Sequence, residues 1–160
     1  MAELSARQVF THPVHLLAYG FGAGLIPKAP GTMGTLAAIP LYILLSLLDP
    51  WLYGAATLAA FVAGVFICGY TARRLGIEDP KSVVWDEVVG FLISMAFVPY
   101  SLVWIAAGFV LFRLLDILKP WPIRWLDRHV KDGLGIMLDD AAAGLAVCVI
   151  LNLTAHFIRV

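Results

Sequence analysis

Charge is scarce in this sequence. Asp, Glu, Lys and Arg make up 14% of its 160 residues, where a soluble domain carries about 25%. The shortfall excludes an ordinary soluble domain, and the 61% apolar content excludes a disordered chain. No charge of either sign is in surplus: eleven basic residues balance eleven acidic ones, so nothing drives nucleic-acid binding. Cysteine is nearly missing. Cys68 and Cys148 lie far apart in apolar runs, which excludes a disulfide framework and a thiolate zinc site and disfavours a reactive thiolate. A basic start followed directly by an apolar core is absent from Met1–Thr11, so a cleaved signal peptide is not expected.

What is present is apolar length. Thr32–Leu48 is uncharged and interrupted by Pro40, and Asp49-Pro50 marks a turn. Trp51–Tyr70 gives twenty residues without a charge, close to the roughly 20 that span a bilayer as a helix. Ala141–Ile158 supplies another such run. Val88–Phe112 is uncharged for twenty-five residues but holds Pro99-Tyr100-Ser101 at its middle, so it reads either as a kinked span or as a hairpin of two short arms. Basic residues flank it on both sides, Arg73, Arg74 and Lys81 before and Arg113, Lys119, Arg124, Arg128 and Lys131 after. Lys and Arg collect on the cytoplasmic side, so a stretch that returns to the side it left is favoured. Each arm of ~11 residues reaches only about 16 Å, short of a ~30 Å core. The expectation is one all-α integral membrane domain over residues 1–160, with about three spanning helices, a re-entrant helical hairpin, and its active face on the cytoplasmic side.

Seventeen of the 22 charges fall in residues 71–87 and 113–140, between the apolar runs. Four clusters carry candidate chemistry. The glycine-rich segment from Gly20 to Thr35 offers Lys28, Thr32 and Thr35 where a helix begins, a natural anion site; its spacing is not that of a Walker loop, and taken alone it reads more simply as a membrane-boundary loop. Trp85-Asp86-Glu87 precedes the hairpin stretch. Capping of a helix start explains Asp86 and leaves Glu87 to turn inward. Arg113, Asp116 and Lys119 recur three residues apart, as neighbours on one helix; an intrahelical ion-pair ladder is the plain alternative, although charge at a bilayer edge is usually functional. Arg124, Asp127 and Arg128 read as a solvated or headgroup-facing turn. Asp139-Asp140 opens the last apolar run, and two adjacent acids exceed what capping requires.

Brought to one membrane face, Asp86, Glu87, Asp116, Asp139 and Asp140 form an oxygen donor set that suits Mg²⁺, with Lys28, Arg113 and Lys119 available to phosphate oxygens. The pattern points to metal-dependent chemistry on a phosphorylated lipid, with metal-activated water as the attacking group. The histidines His12, His15, His129 and His156 read as surface or interfacial residues, His15 also as a proton shuttle beside the glycine loop.

Four blocks, HLLAYGFGAGLIPKAPGTMGTLAAIP (15–40), VVWDEVVGF (83–91), FRLLDILKPWPIRWLDR (112–128) and GIMLDDAAAG (135–144), together resemble the bacterial phosphatidylglycerophosphatase A family. The resemblance implies an all-α, multi-pass, Mg²⁺-dependent inner-membrane phosphatase that faces the cytoplasm. It would convert phosphatidylglycerophosphate to phosphatidylglycerol and orthophosphate. It also implies that Asp86, Glu87, Asp116, Asp139 and Asp140 are the acidic site positions and that Lys28 and Thr32 belong to the site. Asp86, Glu87, Asp139 and Asp140 are the candidate catalytic residues; Lys28, Thr32, Arg113 and Lys119 are the candidate phosphate ligands. Two other classes stay open: a small cation transporter, whose acids belong near the bilayer midplane, and a CDP-alcohol phosphotransferase, whose aspartate array is not present. The oligomeric state is not fixed by the sequence.

Overall fold

The computed structural model describes residues 3–158, and among them every regular element is helical. Two short helices come first, α1 (Ala6–Thr11) and α2 (Pro13–Ala18), then a 3₁₀ segment, Gly20–Leu25. Next are α3 (Pro30–Leu45), α4 (Pro50–Leu75), α5 (Trp85–Ser94), α6 (Leu102–Leu118), α7 (Ile123–His129) and α8 (Asp132–Ile158).

Local chemistry sets these boundaries. Pro50 occupies the first turn of α4, where its missing N–H costs nothing, and the Asp49 side chain caps the helix through the Trp51 N–H at 2.9 Å. Gly76, in the left-handed conformation, ends it. Ser101 caps α6 in the same way by accepting from the Trp104 N–H. The uncharged stretch 88–112 is thus two helices separated by Met95–Ser101, with both the start of α5 and the end of α6 at one end of the bundle.

Short α5 is the axis of the fold. Eight of its ten residues are buried, and α3, α4, α6 and α8 pack around it. Phe91, Leu92, Phe112, Met137 and Leu151 fill the interior. Between α4 and α8 the contact is close enough that a Cβ on Gly64 would lie 2.6 Å from the Met137 sulfur, and one on Gly133 would strike the Val65 carbonyl. Small residues at a helix crossing are how apolar helices approach one another.

Among the described residues, only α4 and α8 are helices long and apolar enough to cross a membrane. Their outward faces carry Leu52, Leu58, Val62 and Phe66, and Leu145, Val149 and Leu153, all exposed. One carbonyl in the last turn of α5 and one in the irregular link after it find donors on these two helices. The Tyr53 hydroxyl donates to the Leu92 carbonyl at 2.6 Å, and Asn152 Nδ2 donates to the Ala96 carbonyl at 3.0 Å. Freed backbone groups inside an apolar bundle need such partners.

Candidate active site

The helix alternation brings four helix ends together: the starts of α3, α5 and α8 and the end of α6, with the loop that follows α4, surround a cleft of about 770 Å³, with α7 across its rim. Each apolar run delivers its flanking charges to the same place.

At the base of the cleft lie Asp86 and Glu87 from the first turn of α5 and Asp140 from the first turns of α8. One carboxylate oxygen from each falls within 4.8 Å of the other two. Asp86 is 8% and Asp140 3% exposed, and Asp86 Oδ1, Glu87 Oε2 and Asp140 Oδ2 are all buried without a hydrogen-bond partner. Asp86 does not cap its helix as expected. Val84 holds the cap position, with its own N–H tied to the Ala18 carbonyl at 2.8 Å, and this anchoring turns the next residues of α5 inward.

Burial pushes the Asp86 carboxyl well above its usual range, and the charges of Glu87 and Asp140 push it further. Burial likewise raises Glu87, to about 7, against the pull of its hydrogen bond with Asp86 and of Arg113. Such a cluster of repelling acids is unstable by itself. Its all-oxygen donor set, with three vacant lone-pair sites converging and no His or Cys in the cleft wall, fits a hard divalent cation.

Arg113 stands beside this trio. Its guanidinium pairs with Asp116 one turn on, and its Nη1 lies 3.7 Å from Glu87 Oε1. The first turn of α3 passes directly over the pair. A Cβ on Gly31 would collide with the Glu87 carboxylate and come within 3.0 and 3.1 Å of the two Arg113 terminal nitrogens. Gly31→Ala is expected to displace Arg113 from Glu87 and to lower turnover roughly tenfold, as read by initial rates in detergent alongside an unchanged helical circular dichroism spectrum.

Lys119 takes a different course from the expected ladder. It is the C-cap of α6 in the left-handed conformation, φ 42°, which swings its side chain off the helix face and away from Asp116. Its Nζ donates instead to Asp127 Oδ1 at 2.5 Å and Asp139 Oδ2 at 2.6 Å. Burial opposes the ammonium charge, but these two carboxylates outweigh it and hold Lys119 above its usual pKa. Asp79, which follows α4, joins this second cluster; burial raises its carboxyl, and Lys119 draws it partly back.

The sequence-derived residues Asp86, Glu87, Asp116, Asp139, Asp140, Arg113 and Lys119 therefore line one cleft. Lys28 is exposed and Thr32 half-buried, and neither is in the cleft wall, to which their segment contributes Ala29, Pro30 and Gly31. His15 also lies outside the wall; it is buried against α4, with its Nδ1 3.0 Å from Thr71 Oγ1. Sequence reasoning missed Asp79, and took Asp127 for a solvated residue. Cys68 and Arg74 have the Cys-x5-Arg spacing, but they sit in unbroken helix and Cys68 is fully buried, so no phosphate loop forms there.

Fold and cleft together define a class: an apolar helical protein with two membrane-length helices and an acidic, carboxylate-lined cleft at one end. Within that class the chain belongs to the phosphatidylglycerophosphatase A family, whose model matches residues 16–155. It is 48% identical over 153 residues to phosphatidylglycerophosphatase A of Escherichia coli (strain K12), covering 94% of this chain and 88% of that protein. It is 46% identical over 142 residues to phosphatidylglycerophosphatase A of Haemophilus influenzae, covering 88% and 87%. A Bacteroides thetaiotaomicron protein, provisionally named a phosphatidylinositol-3-phosphatase, is 40% identical over 138 residues, covering 81% and 86%. No solved structure matches the chain.

Proposed function

We propose that this protein is a Mg²⁺-dependent phosphatase of the bacterial inner membrane, releasing orthophosphate from the terminal monoester of phosphatidylglycerophosphate at the cytoplasmic face. The observation that carries the reading is a trio of acidic residues, each with a buried unpartnered oxygen and each bringing one carboxylate oxygen within 4.8 Å of the others, at one end of the bundle.

Asp86, Glu87 and Asp140 would hold the cation. When bound there, Mg²⁺ supplies Lewis acidity and a water of lowered pKa. The guanidinium of Arg113, oriented by Asp116 and Glu87, faces the equatorial phosphoryl oxygens as negative charge spreads over them. Glu87 Oε2, buried without a hydrogen-bond partner, would accept the proton of the attacking water. The phosphorus–oxygen bond to glycerol breaks, and the products are phosphatidylglycerol and orthophosphate. Asp139 fixes Lys119, and through it α7, at the side of the cleft.

The topology follows from the same residues. The ten residues of α5 reach about 15 Å, half of a ~30 Å core, which supports a re-entrant α5–α6 hairpin; α3, sixteen residues interrupted by Pro40, is shorter than α4 and α8 and would complete the bundle as a third, partial span. The basic flanks support a cytoplasmic cleft. A cation transporter is the weaker reading, because the acids gather at the bundle's end rather than midway along it.

Purified protein in detergent is expected to release phosphate from phosphatidylglycerophosphate with Mg²⁺ and to stop in EDTA. Release that persists in EDTA removes the metal from the proposal; no release from folded, Mg²⁺-supplied protein removes the substrate.

A further inference from the structure

The exposed part of the cleft wall carries cations beside the acids Glu78 and Asp132, and the cations bear on which lipids fit. The base is acidic, and its two cations are committed: Arg113 to Asp116 and Glu87, Lys119 to Asp127 and Asp139. Three further cations of the wall are left over and all are exposed: Lys81, which follows α4 and forms no ion pair among the described residues, Arg128 and Lys131. Arg128, from α7, is exposed, lines the cleft and forms no ion pair among the described residues. Lys131, just before α8, also lines it, and its one partner, Glu78, stands 3.7 Å away with both side chains well exposed. So loose a surface pair is worth little, and its ammonium is free to exchange partners.

We infer that Arg128 and Lys131 form a second phosphate subsite, selecting lipids that carry a phosphodiester in addition to the terminal phosphomonoester. The inference rests on the phosphatase reading given above. A phosphomonoester drawn to a cation at the acidic base leaves the lipid's diester one glycerol unit further out, toward the rim. There a guanidinium and an ammonium offer charge-assisted donors to its two free oxygens. A lipid whose only phosphate is the monoester, such as phosphatidate, has no group for these donors. The rim therefore discriminates by what it leaves unpaired as well as by what it binds.

The test compares wild type with the R128A/K131A double variant on two substrates, phosphatidylglycerophosphate and phosphatidate, in mixed micelles of neutral detergent with Mg²⁺. Where phosphatidate is turned over too slowly to measure, its inhibition constant against phosphatidylglycerophosphate replaces its rate. In the variant the preference for phosphatidylglycerophosphate over phosphatidate is expected to shrink roughly tenfold, through KM rather than kcat, and R128K/K131R is expected to restore most of it. Equal loss on both lipids means that the rim serves anionic surfaces in general, and overturns this inference while leaving the phosphatase reading intact. An unaltered preference overturns it as well. Wild-type protein that releases phosphate from neither lipid overturns the reading and the inference together.

Discussion

Asp86→Asn and Asp140→Asn are each expected to reduce phosphate release by roughly 10²–10³-fold while leaving the protein as stable as wild type, or more so, in EDTA. The two halves of this expectation have one cause. Asp86, Glu87 and Asp140 each bring an oxygen within 4.8 Å of the others, inside a cleft base where both aspartates are nearly out of reach of water. With no cation present their charges repel at short range in a medium of low polarity, which raises the Asp86 carboxyl well above its ordinary value. An amide of the same shape removes one charge from the cluster and relieves that repulsion. It also removes a ligand, so the cation binds weakly and the phosphoryl group loses its stabilisation. A residue that only held the fold together would behave in the opposite way, losing thermal stability in proportion to activity. The measurement is therefore paired: initial rates with Mg²⁺, and the thermal midpoint in EDTA, on the same preparations. Activity within about threefold of wild type in either variant would falsify the metal-site assignment.

The residues of that trio were legible before any coordinates, because each stands where an uncharged run begins, and two adjacent acids at a helix entrance exceed any capping need. The all-helical fold and two of the membrane-length helices were legible for the same reason, from the lengths of the runs. The cleft's second half was hidden by two kinds of event that a linear pattern does not encode. At Lys119 the backbone leaves the helix with φ 42°. The side chain therefore abandons the i, i+3 relation to Asp116 that its spacing suggested and crosses to Asp127 and Asp139. At Asp127 and Asp79 the local sequence is that of a solvated turn, and only the packing of α7 against α8, beside the loop that follows α4, gives these acids a wall to face. Lys28 shows the converse. Its neighbours promise an anion site, yet Ala29, at φ 52°, turns the chain so that Gly31 rather than Lys28 meets Arg113.

The second large effect concerns protons and metal together. In EDTA the thermal midpoint is expected to rise as pH falls from 8 to 5.5, on the order of 5 °C. The sign follows from direction alone. The carboxyls of Asp86 and Glu87 hold their protons more tightly in the folded protein, Glu87 with a pKa near 7, than in the unfolded chain, where carboxyls titrate at about 4. Between those values folding takes up protons, so acidification stabilises, and the effect levels off once pH passes below the unfolded value. Burial is the main cause of the rise at Glu87; among the groups facing it, Asp86 and Arg113 subtract from the rise and Asp116 adds to it. Mg²⁺ replaces protons at the same oxygens. Its addition at pH 8 is expected to raise the midpoint and release protons, and this gain shrinks as pH falls through 7, because the ligands must be deprotonated to bind it. Differential scanning calorimetry in a neutral detergent, with ionic strength matched between the Mg²⁺ and EDTA samples, reads both trends. A midpoint that ignores pH in EDTA would mean that the carboxylates do not repel one another as their spacing requires. A Mg²⁺ gain that survives in Asp140→Asn would place the cation elsewhere in the protein.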